Sequence, residues 1–160
     1  MSYINSQTKI IATLGPATST RTIVSDLIKS GVDEPSNVNP AFWADSICFN
    51  AAKLAKQVGA KAIIVFTHSG YSAIRISSHR PKSKIYAFTN NKDILCKISL
   101  VWGLKSYYLE TYEHLDQAIS ESVKILKNKN ILAQGDCVVY VGTTPLKLQG
   151  STNMMKIAYV

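Results

Sequence analysis

Cysteine is scarce in this 160-residue chain: Cys48, Cys96 and Cys137 are the only three. They are far apart, odd in number and form no CxxC pair. That excludes a paired-cysteine metal site and an even disulfide framework, and it favours a reducing compartment, read here as the cytoplasm. Long hydrophobic runs are missing too. No apolar stretch nears the roughly 20 residues needed to cross a bilayer, so no membrane partner is expected. Met1–Lys9 has no hydrophobic secretion core. Acidic residues number 10 against 18 lysines and arginines, and they are dispersed. The only adjacent pair, Asp33-Glu34, sits in a proline-broken stretch that reads as a solvated linker. The histidines, His68, His79 and His114, have no cysteine or acid partner suggesting a triad or a metal site. No basic run is interleaved with aromatics, so nucleic acid is not an expected partner. Internal repeats and low-complexity tracts are absent.

What is present is an apolar fraction of 46%, enough for a real core, and a formal charge of +8. Two denser basic groups, Arg75/Arg80/Lys82/Lys84 and Lys124/Lys127/Lys129, read either as solvated surface or as attractors of an anionic metabolite. Along the chain, Thr8–Leu14 reads as a strand ended by Gly15-Pro16. A helix follows, capped by Ser19 or Thr20, with Ile23, Val24, Leu27 and Ile28 as its stripe and Gly31 as its stop. After the polar stretch 33–40, Asn39-Pro40 opens a helix that carries Ile47, Ala51, Leu54 and Val58 and ends at Gly59. Strands are expected at 62–67, 85–89, 106–109 and 137–141, with a last one at 155–160 hairpin-paired to the fourth. Helices alternate with them: a short one through 72–78, one capped by Asn90 and running to about Trp102-Gly103, and one marked by Leu115, Ile119, Val123 and Leu126. This alternation predicts a parallel α/β sheet with an antiparallel edge.

The most informative stretch is Ala62-Ile-Ile-Val-Phe-Thr67 followed by His68-Ser-Gly-Tyr-Ser72. An unbroken apolar run suits a strand buried on both faces. The loop after it lies at the carboxyl end of the sheet, where α/β proteins place ligands. Thr67, Ser69 and Ser72 offer hydroxyls. Gly70 lets N–H groups converge, and the following helix aims its positive end at the same point. The pattern fits a phosphate cradle; it equally fits a capped strand-to-helix turn with no ligand.

Two parts of the chain resemble one family, pyruvate kinase. Thr8-Lys-Ile-Ile-Ala-Thr-Leu-Gly-Pro, continuing to Ile28-Lys-Ser-Gly-Val32, looks like the opening strand and helix of that family's catalytic barrel. Residues from about 40 to 160 resemble its C-terminal domain. The matching signatures are Ala60-Lys-Ala-Ile-Ile-Val, Thr67-His-Ser-Gly-Tyr-Ser-Ala73, His79-Arg80-Pro81, Ile85-Tyr-Ala-Phe-Thr, Trp102-Gly103, Gly135-Asp-Cys-Val-Val and Thr152-Asn153. The chain departs from the family after Val32, which runs into Asp33-Glu34-Pro35 where the family continues into an Arg-x-Asn-x-Ser-His-Gly motif. The middle of the barrel, with its phosphate-handling arginine, catalytic lysine and metal-holding carboxylates, is not found. The organisation expected is therefore a β-α barrel remnant at 1–32, a junction at 33–39 and an effector-binding domain at 40–160.

The resemblance implies a three-layer, open, mostly parallel five-stranded sheet with an antiparallel edge strand. It implies that the parent reaction converts phosphoenolpyruvate and ADP to pyruvate and ATP with Mg and K ions. With those barrel residues missing, no catalytic residue, metal ligand or cofactor is assigned here, and the chain is expected to be inactive. What it retains would be the receptor for a sugar phosphate such as fructose 1,6-bisphosphate. Carried over by position, Thr67, His68, Ser69, Gly70, Tyr71 and Ser72 form the phosphate loop. Trp102, Gly142, Lys147 and Gly150 form the second half of the pocket. Trp102 reads equally as a core residue, and the 142–153 loop as a plain hairpin connection. A homo-oligomer is expected, and an oligomerisation module with a vestigial loop is the alternative.

Overall fold

The structure, a computed structural model, describes residues 40–110, 114–145 and 152–160. The expectations placed on 1–39, including the strand at 8–14, its helix and the Asp33-Glu34 junction, fall outside these residues. So do Lys147 and Gly150.

Chain order gives α1 (Pro40–Gln57), β1 (Ala62–Phe66), α2 (Tyr71–Ser78), β2 (Lys84–Thr89), α3 (Lys92–Ile98), β3 (Leu104–Tyr108), α4 (Leu115–Asn128), β4 (Cys137–Gly142) and β5 (Met154–Tyr159). The sheet order is β3-β2-β1-β4-β5. β1 pairs in parallel with β2 and β4, β2 pairs in parallel with β3, and β5 runs antiparallel to β4. The α/β class, the parallel sheet and the antiparallel edge are as the sequence implies.

β1 is central, and all five of its residues are buried. Alternate side chains serve opposite layers. Ile63 and Val65 join Ile85, Ala87, Val139 and Val141 in a core with Cys48, Ala51 and Ala55 of α1 and Ala73 and Ile76 of α2. Ala62, Ile64 and Phe66 join Tyr86, Phe88, Val138 and Tyr140 against Ala118 and Leu126 of α4. Helices therefore cover both faces. A side chain such as Ile64, with no exposure, contributes about 1.5–3 kcal/mol by leaving water.

Helix ends explain two boundary differences. Asn91, rather than Asn90, caps α3: its side-chain oxygen accepts from the N–H groups of Asp93 at 3.0 Å and Ile94 at 3.4 Å. Asn90 instead places Oδ1 3.3 Å from Nδ1 of His68. α3 ends at Ile98, short of Trp102-Gly103, and β3 begins at Leu104 rather than Ser106. Gly103, at φ +68°, makes the turn between them. Among the described residues, no helix is long and apolar enough to cross a membrane.

Candidate functional site

Parallel pairing sets the site. β1 to β4 all deliver their chain to the same edge, so the loop at 67–70, Gly142 and the return into β5 share the carboxyl end of the sheet. Thr67 continues β1, its N–H donating to the Phe88 carbonyl at 3.0 Å. The chain then turns sharply into α2. Gly70 holds φ +83°, and a Cβ there would lie 2.7 Å from Cγ2 of Ile98 and 3.2 Å from Cγ2 of Ile94. Both the left-handed backbone and the closeness of α3 require glycine.

The loop is tied by its own hydroxyls. The N–H of Gly70 donates to Thr67 Oγ1 at 2.9 Å, and the N–H of Tyr71 reaches Ser69 Oγ at 3.4 Å. In those bonds both oxygens accept, so both hydroxyl protons are left to donate. α2 begins with no side-chain cap. Among the described residues, the N–H groups of Ser72 and Ala73 meet no acceptor, whereas Ile74 N–H already closes onto the Gly70 carbonyl at 3.0 Å. Two open amides and two hydroxyls thus stand at the positive end of a helix, the local chemistry that holds an anion.

The remaining predicted residues divide. Ser72 is buried, and its hydroxyl is hydrogen-bonded to that of Thr152, which is also buried. Its carbonyl accepts from Cys48 Sγ at 3.7 Å. Ser72 therefore joins α2 to the chain entering β5. Thr152 carries the β4–β5 return onto the loop, and Asn153 clasps that return by accepting from Thr144 N–H and donating to the Thr144 carbonyl, each at 2.8 Å. Gly142 lies beside β1: a Cβ there would stand 3.3 Å from Cβ of Phe66. His68 is exposed at the rim beside Asn90. Tyr71 turns away, donating its hydroxyl to Asp45 Oδ1 at 2.7 Å.

Asp45 is the electrostatic centre next to the loop. Arg75 grips it through Nε at 2.7 Å and Nη2 at 2.6 Å. That guanidinium holds the Asp45 carboxyl below its ordinary value, while Asp45 raises the Tyr71 hydroxyl and the Arg75 guanidinium. Burial pushes the Cys48 thiol up to about 11. Arg75 is thus neutralised in place, and the hydroxyl and amide donors of the loop carry no charge.

Trp102 is not brought to this site. It precedes β3 and so lies at the amino end of the sheet, where its carbonyl accepts from Ser77 Oγ at 2.6 Å at the far end of α2. The Ser72–Thr152 bond and the Asp45–Arg75 pair emerge only from the structure. Thr152 contacts a residue 80 positions away, a separation no local pattern reports. The resemblance implies a divalent metal for the parent reaction. Among the described residues no three His, Cys, Asp or Glu side chains come together, so this domain's donors do not fit that ion.

The family model described as "Pyruvate kinase, alpha/beta domain" matches residues 45–158. The chain is similar to the pyruvate kinase of Lactobacillus delbrueckii subsp. bulgaricus, 30% identical over 116 residues, which is 72% of this chain and 20% of that protein. It is 31% identical over 121 residues to the pyruvate kinase of Clostridium perfringens, 76% of this chain and 26% of that protein. Among solved structures, Cryptosporidium parvum pyruvate kinase in complex with ADP superposes with a TM-score of 0.68 at 29% identity, covering 86% of this chain and 27% of that one. The chain thus spans about a fifth to a quarter of the curated relatives named here.

Proposed function

The chain belongs to the pyruvate kinase family, and we propose that residues 40–160 act as its regulatory, anion-receiving domain. The ligand is a sugar phosphate of the fructose 1,6-bisphosphate class. One phosphate sits against the hydroxyls of Thr67 and Ser69 and the open N–H groups of Ser72 and Ala73. Gly70 allows that convergence. Thr152 and Gly142 contribute from the β4–β5 side, and Lys147 is assigned as a cation for the same ligand. The observation that carries this reading is the α2 start, which has open amides and no side-chain cap, flanked by two hydroxyls free to donate. The unpaired cysteines favour the cytosol as its compartment.

We assign no catalytic residue to this chain and expect no phosphoryl transfer from it. That chemistry rests on a metal held by carboxylates and on cations at the moving phosphoryl group. Allosteric control is a coupling between two sites, so binding here has an effect only where a catalytic barrel is joined to the domain.

Isothermal titration of the folded chain with fructose 1,6-bisphosphate, fructose 6-phosphate and inorganic phosphate tests the reading. Saturable binding is expected, weakened about tenfold in Ser69→Ala through the loss of one hydrogen bond to a charged group. Absence of heat with every sugar phosphate refutes it. A coupled assay for pyruvate should give no turnover that depends on a residue of this chain.

A second reading, an oligomerisation module, is favoured by one observation. β5 is an edge strand, with Met155, Ile157 and Tyr159 exposed along one side.

A further inference from the structure

The basic group Arg80/Lys82/Lys84 has no part in the cradle, and the fold sends it to the opposite edge of the sheet. The segments entering β2 and β3 lie side by side there, joined where the Ile85 N–H donates to the Gly103 carbonyl at 3.3 Å. Two hydroxyls fix them from behind. Ser77, itself buried, donates to the Trp102 carbonyl at 2.6 Å, and Ser83 donates to the Ala60 carbonyl at 2.7 Å. Between the segments is a cleft of about 300 Å³ lined by Pro81, Lys82, Ser83, Lys84, Trp102 and Gly103.

Three properties of the cleft point to a ligand. First, the Trp102 backbone is anchored while its side chain stays 58% exposed, so this large ring is not being used for the core. Second, the Arg80 guanidinium lies over that ring, 5.6 Å from its centroid. Arg80 reaches this place because α2 ends with His79 N–H on the Ile76 carbonyl and Arg80 N–H on the Ser77 carbonyl, which puts Arg80 at φ +46°. That left-handed position usually falls to glycine or asparagine. Third, among the described residues no carboxylate is paired with Arg80, Lys82 or Lys84. An exposed ring with a guanidinium over it, beside two unneutralised ammonium groups, offers stacking and charge in one small cleft.

We propose that Trp102, Arg80, Lys82 and Lys84 form a second anion site, separate from the cradle, for a small phosphorylated ligand bearing a planar aromatic ring, of the mononucleotide type. The ring stacks at Trp102 and Arg80, and the phosphate meets Lys82 and Lys84. The cleft volume suits one such molecule and not a polymer. The site stands at the amino ends of the strands whose carboxyl ends bear the cradle, about 17 Å away along β1. The two can therefore be occupied independently.

The test is a titration of the full chain with adenosine 5′-monophosphate, read by calorimetry and by the fluorescence of Trp102 in a Trp43→Phe background, since the chain has two tryptophans. Saturable binding with a change in Trp102 emission is expected. Lys82→Gln/Lys84→Gln should weaken it about fivefold, the worth of two exposed charge pairs. Trp102→Leu should weaken it by calorimetry, and ribose 5-phosphate, which lacks the ring, should bind more weakly than the nucleotide. Fructose 1,6-bisphosphate should not displace the nucleotide. Circular dichroism confirms that each variant is folded; Lys82, Lys84 and Trp102 lie at the surface, so folding should survive. The proposal is overturned by any of three results: no saturable binding to the folded chain, equal binding of nucleotide and ribose 5-phosphate, or unchanged affinity in both variants. Displacement by fructose 1,6-bisphosphate also overturns it, since it assigns the nucleotide to the cradle. The first three outcomes do not depend on whether the cradle itself binds a sugar phosphate.

Discussion

Gly70 shows how one residue decides the candidate site. Its backbone is left-handed, and a methyl group would overlap Ile98 of α3. Gly59 is a natural control, also left-handed at φ +63° but with nothing within 4 Å of the place a Cβ would take. Gly59→Ala should therefore cost only the backbone penalty, about 1–2 kcal/mol. Gly70→Ala should cost that penalty plus the displacement of Ile98, and should abolish sugar-phosphate binding. Urea denaturation of the two variants checks this; equal destabilisation would refute the steric part. Cys48 gives a second residue-scale prediction. Burial raises its thiol from 9.0 to about 11. A raised folded value means that the contribution is complete below the unfolded value and is lost as pH climbs through the folded one. Stability should fall by about 2–3 kcal/mol between pH 9 and 11 from this group. Tyr86 and Tyr140, also raised by burial, add loss of the same sign. The measurement is thus the difference between the native chain and Cys48→Ala under reducing conditions, and a parallel decline in the two would exclude the thiol.

At the scale of elements, α1 and α2 are joined beside the cradle by the Asp45–Arg75 pair and the Tyr71 hydroxyl. Both charged side chains are about a third or more exposed, so the pair is screened and contributes about 0.2–1 kcal/mol. The lowered Asp45 carboxyl gives the sign: its contribution is present above the ordinary carboxylate range and is lost as pH falls through the lowered folded value. Asp45→Asn should lose that amount at neutral pH, and the difference from the native chain should shrink in high salt. Urea midpoints at low and high salt check it; a salt-independent loss would mean packing, not charge. The elements themselves are largely legible in the sequence. The unbroken run at 62–66 announces a strand buried on both faces, and the helical spacing of Ile47, Ala51 and Leu54 announces α1. The α3 cap falls one residue later than the sequence suggests because Asn90 and Asn91 carry the same chemistry, and only three-dimensional placement gives Asn90 to His68. Family position groups Trp102 with the cradle, although it precedes a parallel strand. Strand direction alone sends it to the amino edge, so the signal exists in the order of elements. The Ser72–Thr152 bond has no such signal, since it depends on how the β4–β5 return folds back.

For the whole molecule, one question of assembly is posed by β5, an edge strand of the sheet. Among the described residues the sheet ends there in a strand with one unpaired edge, and unpaired edges are templates for another chain. Its residues alternate. Lys156 faces the α4 layer and pairs with Asp116 at 3.3 Å. Met155, Ile157 and Tyr159 pair across to Val141, Val139 and Cys137, and so extend the face that α1 covers further in. They remain exposed at 39%, 44% and 78%, an apolar strip continuous with a core. Net charge of +8 opposes association through self-repulsion, so the strip must outweigh that repulsion for a dimer to form. If it does, the native chain should sediment as a concentration-dependent dimer. Dimerisation should strengthen with salt as the repulsion is screened. Ile157→Lys, which adds charge at an exposed position of the strip, should be monomeric with an unfolding midpoint close to that of the native chain at low concentration. Analytical ultracentrifugation decides: a native chain that stays monomeric at every salt and concentration removes the assembly reading and leaves ligand binding as this domain's candidate role in its family.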